Sequence, residues 1–575
     1  MTPLRVLFVS SEVVPFVKVG GLADVAGSLP QALAARGIDI RVIMPLYRPV
    51  KTQYKDKLKF VRWSQVKLGW RSMYSGLLTL HQNGITYYFI DNDYYFGSDQ
   101  IYQDYSFDVE RFCFFQRAVL EACGQPMDFE PDIIHCNDWE TGLIPCLLQA
   151  HYQSNGYHCQ TKTLYTIHNL KFQGVFGSDR IADLCDLSSD YLNDFGVLKD
   201  GAANFMKAGI VYSQHVNTVS PTYASEIMND FYGEGLDAIL RGFSYKVSGI
   251  LNGLDTRSYD PASDPAIPSH YDSSNVVAGK AACKASLQQE LGLPSAADKP
   301  LFALISRLTE QKGLDLLLFI LDELLDDDIQ LVVLGNGESR YEDALKAVAA
   351  RRPDRMAVQI RFDEKLARRI YAGADFFLMP SVFEPCGLSQ MIAMRYGALP
   401  IVRETGGLKD TVHPYNQYTG TGNGFSFANI NAHELLFTSK YAVDVYRRHD
   451  EAWTALVKSA LSSDFSWDQS AAQYLALYQG LTGVSRTEAN PGAPAPDLQV
   501  KPELRPANSS AVSKAGAARK TTKTSARRSG KAGHKTKSAG SKAATRRKTT
   551  QEAAPSKRKA SSGRAQTESN KSDKE

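Results

Sequence analysis

No apolar run in this sequence approaches the ~20 residues that a membrane-spanning helix needs, so no membrane partner is expected. Cysteine is sparse: eight scattered residues in 575, with no CxxC pair, which fits a reducing, cytoplasmic setting better than a disulfide or zinc framework. His, Cys, Asp and Glu nowhere gather at metal-ligand spacing, so neither a metal nor another cofactor is expected. A leader segment is not expected either, because MTPLRVLFVSSE enters a strand at once.

What is present is ordinary for a soluble globular chain, with 43% hydrophobic and 22% charged residues, and the length suits more than one domain. The charge is unevenly spread. The net is +3, yet residues 501–575 hold 21 Lys+Arg against 5 Asp+Glu, a net of +16 that leaves −13 for residues 1–500. From about Arg486 the composition turns to Ala, Lys, Ser, Thr, Pro and Arg without apolar periodicity. Such a segment cannot offset the entropy of folding, so a disordered basic tail over 486–575 is expected. Three uses compete for it: weak, sequence-blind nucleic-acid binding at low salt, folding back on the acidic body, or mere solubilisation.

The body alternates strands and helices. Arg5 to Val9 and Asp39 to Met44 read as strands around a helix ending near Gly37, the start of a parallel sheet. Residues 58–91 alternate in β fashion and suggest inserted hairpin strands. A Pro- and Asp-rich stretch, Pro261 to Ser269, marks a crossing, after which the α/β alternation restarts at Leu301 to Ile305. The expected class is therefore α/β, with two Rossmann-like domains facing a cleft. The expected domains are 1–255 and 256–464, followed by 465–485 as a helix crossing back to the first.

The polar tips of the predicted strands carry the candidate site residues, since open α/β sheets bind ligands at the carboxyl ends of their strands. Lys18 with Gly20 and Gly21 joins a cation to glycine backbone before a helix, a phosphate-site pattern, although a surface lysine beside a tight turn reads the same way. Asp138 and the pair His168-Asn169 end two short apolar strands, and a satisfied structural histidine is an equal reading. Arg307 and Lys312 follow the strand 301–305, where two cations suit the two phosphates of a sugar nucleotide. Gly335 opens a GxG at the next strand end. Phe362 can stack on a base.

The richest stretch is 376–410, FFLMPSVFEPCGLSQMIAMRYGALPIVRETGGLKD. It reads as strand, loop, helix, strand and glycine loop. Pro385 suits a first helical turn, whose free N–H groups can hold an anion. Thr405-Gly406-Gly407 offers a second patch of accessible backbone N–H. Glu384 beside both would repel phosphate, so a polyol such as a sugar is its better partner; a simple helix cap is the competing reading.

SVFEPCGLSQ and RETGGLKDTV resemble the bacterial and plant starch and glycogen synthases, retaining glucosyltransferases of the two-domain GT-B fold. KVGGLADV, HxxDW at His135 to Trp139, His168-Asn169, NFMKAG, TVSPTY and GILNGLD extend the resemblance from about Arg5 to about Gly480. The resemblance implies transfer of glucose from ADP-glucose to an α-1,4-glucan such as glycogen. Catalytic roles fall on Glu384, His168, Asp138, Arg307 and Lys312. Substrate contacts fall on Lys18, Gly20, Gly21, Asp24, Asn169, Asn252, Gly335, Phe362, Cys386, Gly387, Thr405, Gly406 and Gly407. One departure stands out: where the family commonly has YFDR, this chain has Tyr95-Phe96-Gly97-Ser98. Two alternatives stay open, a GT-B transferase using UDP-glucose and an inactive glucan scaffold whose tail binds nucleic acid.

Overall fold

The computed structural model describes residues 3–483. The basic segment from residue 486 onward, expected to be disordered, lies outside the described residues.

Two sheets organise the body. The first has nine strands in the order β12-β11-β7-β6-β1-β2-β5-β4-β3. In chain order these are β1 (Arg5–Val9), β2 (Asp39–Pro45), β3 (Lys59–Leu68), β4 (Arg71–Gln82), β5 (Ile85–Asp91), β6 (Ile133–Asn137), β7 (Lys162–Ile167), β11 (His215–Thr218) and β12 (Val247–Gly249). Between β7 and β11 a small antiparallel sheet intervenes, built of β8 (Val175–Gly177), β9 (Leu198–Lys199) and β10 (Ala202–Asn204). β3 and β4 form the expected antiparallel hairpin, which adds to the parallel sheet through β5.

The second sheet is parallel throughout, in the order β15-β14-β13-β16-β17-β18. Its strands are β13 (Leu301–Ile305), β14 (Gln330–Leu334), β15 (Met356–Gln359), β16 (Phe376–Met379), β17 (Leu399–Arg403) and β18 (Phe425–Phe427). The central strands β1, β14 and β16 are almost wholly apolar because helices cover both faces of the sheets.

Each sheet has a point where the chain reverses its direction of travel. From β1 the first sheet grows through β2, then resumes on β1's other side with β6. From β13 the second sheet grows through β14 and β15, then resumes on the other side with β16. Loops leaving neighbouring strands at such a point part to opposite faces and leave a crevice. The loops after β1, β6, β13 and β16 carry Glu12, Asp138, Arg307 with Lys312, and Glu384.

Each sheet also has its own hydrophobic core. The last helix, Trp467–Thr482, follows the second sheet in sequence but buries Trp467, Ala471, Tyr474 and Tyr478 in the core of the first. Its tyrosines meet polar groups there: Tyr478 Oη lies 2.7 Å from His135 Nδ1, and Tyr474 Oη accepts from Asn217 Nδ2 at 2.9 Å. His135 also reaches Thr166 Oγ1 at 2.7 Å, so this histidine is a satisfied core residue.

Candidate active site

A cleft of about 1100 Å³ collects side chains from both sheets. Fifteen of the eighteen sequence-predicted site residues line it, and Thr405, Gly406 and Gly407 do not.

On the side of the second sheet, Lys312 Nζ donates to Glu384 Oε2 at 2.6 Å, and Ser381 Oγ donates to the same oxygen at 3.0 Å. Glu384 is only 6% exposed, so the pair is largely withdrawn from water. Backbone and buried side chains hold the two loops together. Val382 N donates to Gln311 O at 2.9 Å, and Arg403 Nε donates to Ser381 O at 2.8 Å. Gly313, at φ +70, lets the loop after β13 lie against the loop after β16; a Cβ there would fall 1.9 Å from Pro380 O. Arg307 projects into the same cleft, exposed, and its guanidinium has no partner among the described residues. The buried Gly335 and the well-exposed Phe362 also line the cleft. Cys386 is buried, and burial pushes its thiol up to about 12, which keeps it neutral and a poor nucleophile.

On the side of the first sheet, Asp138 adopts φ 55 and ψ −175, a conformation rare for a residue with a side chain. Its carboxyl accepts from His168 N at 2.7 Å and Asn169 N at 3.4 Å, so it tethers the loop after β7. His168 Nε2 lies 2.9 Å from Asn137 Oδ1 and donates to it. Burial lowers the imidazole to about 3, so His168 is neutral across the physiological range.

Four readings of the sequence need correction. Thr405, Gly406 and Gly407 do not present free N–H groups: Gly406 N donates to Glu226 Oε2 at 3.0 Å, Thr405 Oγ1 donates to Glu226 Oε1 at 3.0 Å, and Gly407 N is shared by Glu384 O and Pro385 O at 3.2 Å each. The glycines are there for packing instead. A Cβ at Gly406 would fall 2.0 Å from Glu384 O, and one at Gly407 2.1 Å from Cys386 O. Second, Pro385 is not in a first helical turn, since the helix begins only at Ser389 after Gly387 at φ +72. Third, part of the KVGG loop's backbone is occupied: Glu12 Oε2 accepts from Gly20 N at 2.9 Å and from Val19 N. Fourth, Lys18 is not a free cation, because Nζ pairs with Asp24 at 2.7 Å.

The close approach of Gly407 to Cys386 makes a specific expectation. Gly407→Ala forces the Glu384–Cys386 backbone aside, so stability falls by about 1–3 kcal/mol and turnover falls further than stability. Thermal melting and steady-state rates check this; parental values for both would show that the contact does not fix the loop.

Comparison with known proteins decides the family. A profile of the starch synthase catalytic domain matches residues 5–242, and one of the group 1 glycosyl transferases matches residues 289–442. A glycogen synthase of Exiguobacterium sibiricum is 50% identical over 479 residues, covering 83% of this chain and 99% of that protein. The chain belongs to the starch and glycogen synthase family. It is thus a glycosyltransferase. A glycogen synthase of Bacillus cereus strain ATCC 14579 is 48% identical, covering 83% of this chain and 100% of its own length. Among solved structures, the catalytic domain of starch synthase IV from Arabidopsis thaliana, bound to ADP and acarbose, superposes with a TM-score of 0.77 at 32% identity. That match covers 84% of this chain and all of the other, so the GT-B architecture expected from sequence is the one observed.

Against this family background, Glu12, Tyr102, Glu140 and Ser381 are cleft residues that sequence reading passes over. Glu12 stands in the loop that leaves the carboxyl end of β1, and that position alone marks it as a candidate. The departure at Gly97-Ser98 is local. Neither residue lines the cleft, and the same loop goes on to deliver Tyr102 into it. Among the described residues, no helix is long and apolar enough to cross a membrane.

Proposed function

We propose that this chain transfers glucose from ADP-glucose to the 4-hydroxyl at the non-reducing end of an α-1,4-glucan, with retention. The observation that carries the reading is an unpaired Arg307 facing the cleft beside the Lys312–Glu384 pair. The diphosphate gains charge as it leaves the anomeric carbon, and two cations fixed on neighbouring loops stabilise that charge in a half-desolvated cleft. Lys312 serves both its carboxylate and the phosphate. Glu384, anchored through Oε2 by Lys312 and Ser381, offers Oε1 to the hydroxyls of the glucose and orients its ring. The backbone carbonyl of His168, held by Asp138, faces the developing positive charge, and the leaving phosphate takes the acceptor's proton. The ADP bound to the Arabidopsis relative supports the donor class. Incorporation of labelled glucose into glycogen tests the reading, with ADP-glucose compared against UDP-glucose. A strong preference for ADP-glucose is expected. Equal or better use of UDP-glucose overturns the donor assignment, and no incorporation from either overturns the reaction.

A second activity is favoured by one observation. The curated relatives are matched over their full length yet cover only 83% of this chain, and the basic residues 501–575 carry a net of +16. Glycogen is neutral, so this charge does nothing for the acceptor. Polyanions bind such a segment by counterion release, without reading sequence. Weak DNA or RNA binding is expected at low salt and lost by a few hundred millimolar. Truncation near Thr487 is expected to abolish it while glucosyl transfer stays within about twofold. A truncated enzyme that loses most of its turnover would place the tail in the catalytic machinery.

A further inference from the structure

The acceptor wall of the cleft gathers three carboxyl groups, Glu12, Asp138 and Glu140. Among the described residues, none of them is ion-paired with a lysine or arginine; the nearby cations Lys18 and Arg111 are taken by Asp24 and Asp108. Glu140 follows Asp138 by two residues on a single 3₁₀ turn and is 3% exposed. Its Oε2 is buried without a hydrogen-bond partner. Asp138, by contrast, is supported by the N–H groups of His168 and Asn169.

We propose that Glu140 is a positioning residue that acts through Asp138: as a neutral acid it leaves the single negative charge of the pair on Asp138, where that charge grips the loop carrying His168. This rests on the glucosyltransferase reading above and goes beyond it. The placement follows from the partners each group has. Burial pushes Asp138 up to about 7, while the N–H groups of His168 and Asn169 pull it back, so of the two carboxyls Asp138 gives up its proton first. A buried carboxyl with an oxygen that no donor reaches favours its protonated form. Burial and then the charge of Asp138 push Glu140 well above the ordinary carboxylate range; its own backbone N–H opposes the rise, Glu12 adds to it, and a hydrogen bond from Tyr102 opposes it in turn. The other titratable groups facing this wall are Tyr47, Tyr165 and the Arg111–Asp108 pair. The tyrosines are neutral, and Arg111 is committed to Asp108 at 2.7 Å. When Glu140 loses its proton to solvent at alkaline pH, two like charges share one buried turn. Repulsion then loosens the grip of Asp138 on His168 and Asn169.

The test compares the full chain with Glu140→Gln, which keeps shape and a hydrogen-bond donor but cannot ionise. The parent is expected to lose kcat on the alkaline side, and the variant to keep it, moving the limb by at least about one pH unit. At pH 7 the variant should stay within about threefold of the parent. A second readout does not depend on turnover. A raised carboxyl pKa in the folded state contributes stability that is whole below the unfolded value of about 4.3 and is lost as pH rises. The parent's melting temperature should therefore fall, relative to the variant's, as pH rises from about 4.3. An unchanged alkaline limb overturns the proposal, as does a parent profile flat to pH 10 or a variant inactive at pH 7. If neither protein transfers glucose from any donor, the reaction assignment has failed, while the melting comparison still decides the protonation of Glu140.

Discussion

Glu384→Gln is expected to lower turnover by ~10²–10³, the loss that follows removal of one positioned polar contact to a transition state. The substitution keeps the size of the side chain and an oxygen that Lys312 and Ser381 can still reach. It removes the charge that orients sugar hydroxyls as the anomeric carbon becomes cationic. It also leaves Lys312 without its anion, only 2.6 Å away in the parent. A stability loss of about 1–3 kcal/mol is expected from that alone. Rates must therefore be normalised to folded protein, and circular dichroism melting supplies the correction. Turnover within about threefold of the parent after that correction would reduce Glu384 to an anchor for Lys312.

Arg307→Ala and Lys312→Ala are expected to weaken ADP binding by roughly 10–100-fold each, the worth of a charge-assisted hydrogen bond. In the double variant the losses should fall short of their sum, because both cations act on one diphosphate. The structure separates the two in a second measurement. Lys312→Ala strands Glu384 as a buried carboxylate held only by Ser381, so its melting temperature should drop. Arg307 has no partner to strand, so Arg307→Ala should melt near the parent. Calorimetric titration with ADP, together with melting curves, checks both statements. Unchanged ADP affinity in both single variants would move the donor site elsewhere.

The sequence makes the strand ends legible because parallel strands buried on both faces are short, continuous apolar runs, as in Phe376 to Met379. Polar residues directly after such runs then fall at the crevice, which is how Asp138, His168, Arg307 and Glu384 come to share one cleft. Contacts across the chain are not legible in this way. Lys312 and Glu384 stand 72 residues apart, and nothing in either segment announces their ion pair. The partners of Glu12 are silent for the same reason, since Val19 and Gly20 use only their backbones. The glycines at 406 and 407 show a further limit. A glycine that admits a ligand and one that admits a neighbouring loop leave the same letter in the sequence, and only the distances to Glu384 O and Cys386 O tell them apart. The basic segment after residue 486 is readable as charge alone, which suffices for a binding expectation but not for a place in the fold.

The closing helix sets an order on biosynthesis. Chains emerge from the ribosome N-terminus first, so the nine strands of the first sheet are all available long before Trp467–Thr482 leaves the exit tunnel. Until then His135 and Asn217 lack the tyrosine hydroxyls that satisfy them, and a groove meant for Trp467, Tyr474 and Tyr478 stands open. Completion of the first half of the enzyme therefore waits on the second. A nascent chain stalled before residue 467 would expose the sticky surface that the closing helix covers in the finished protein.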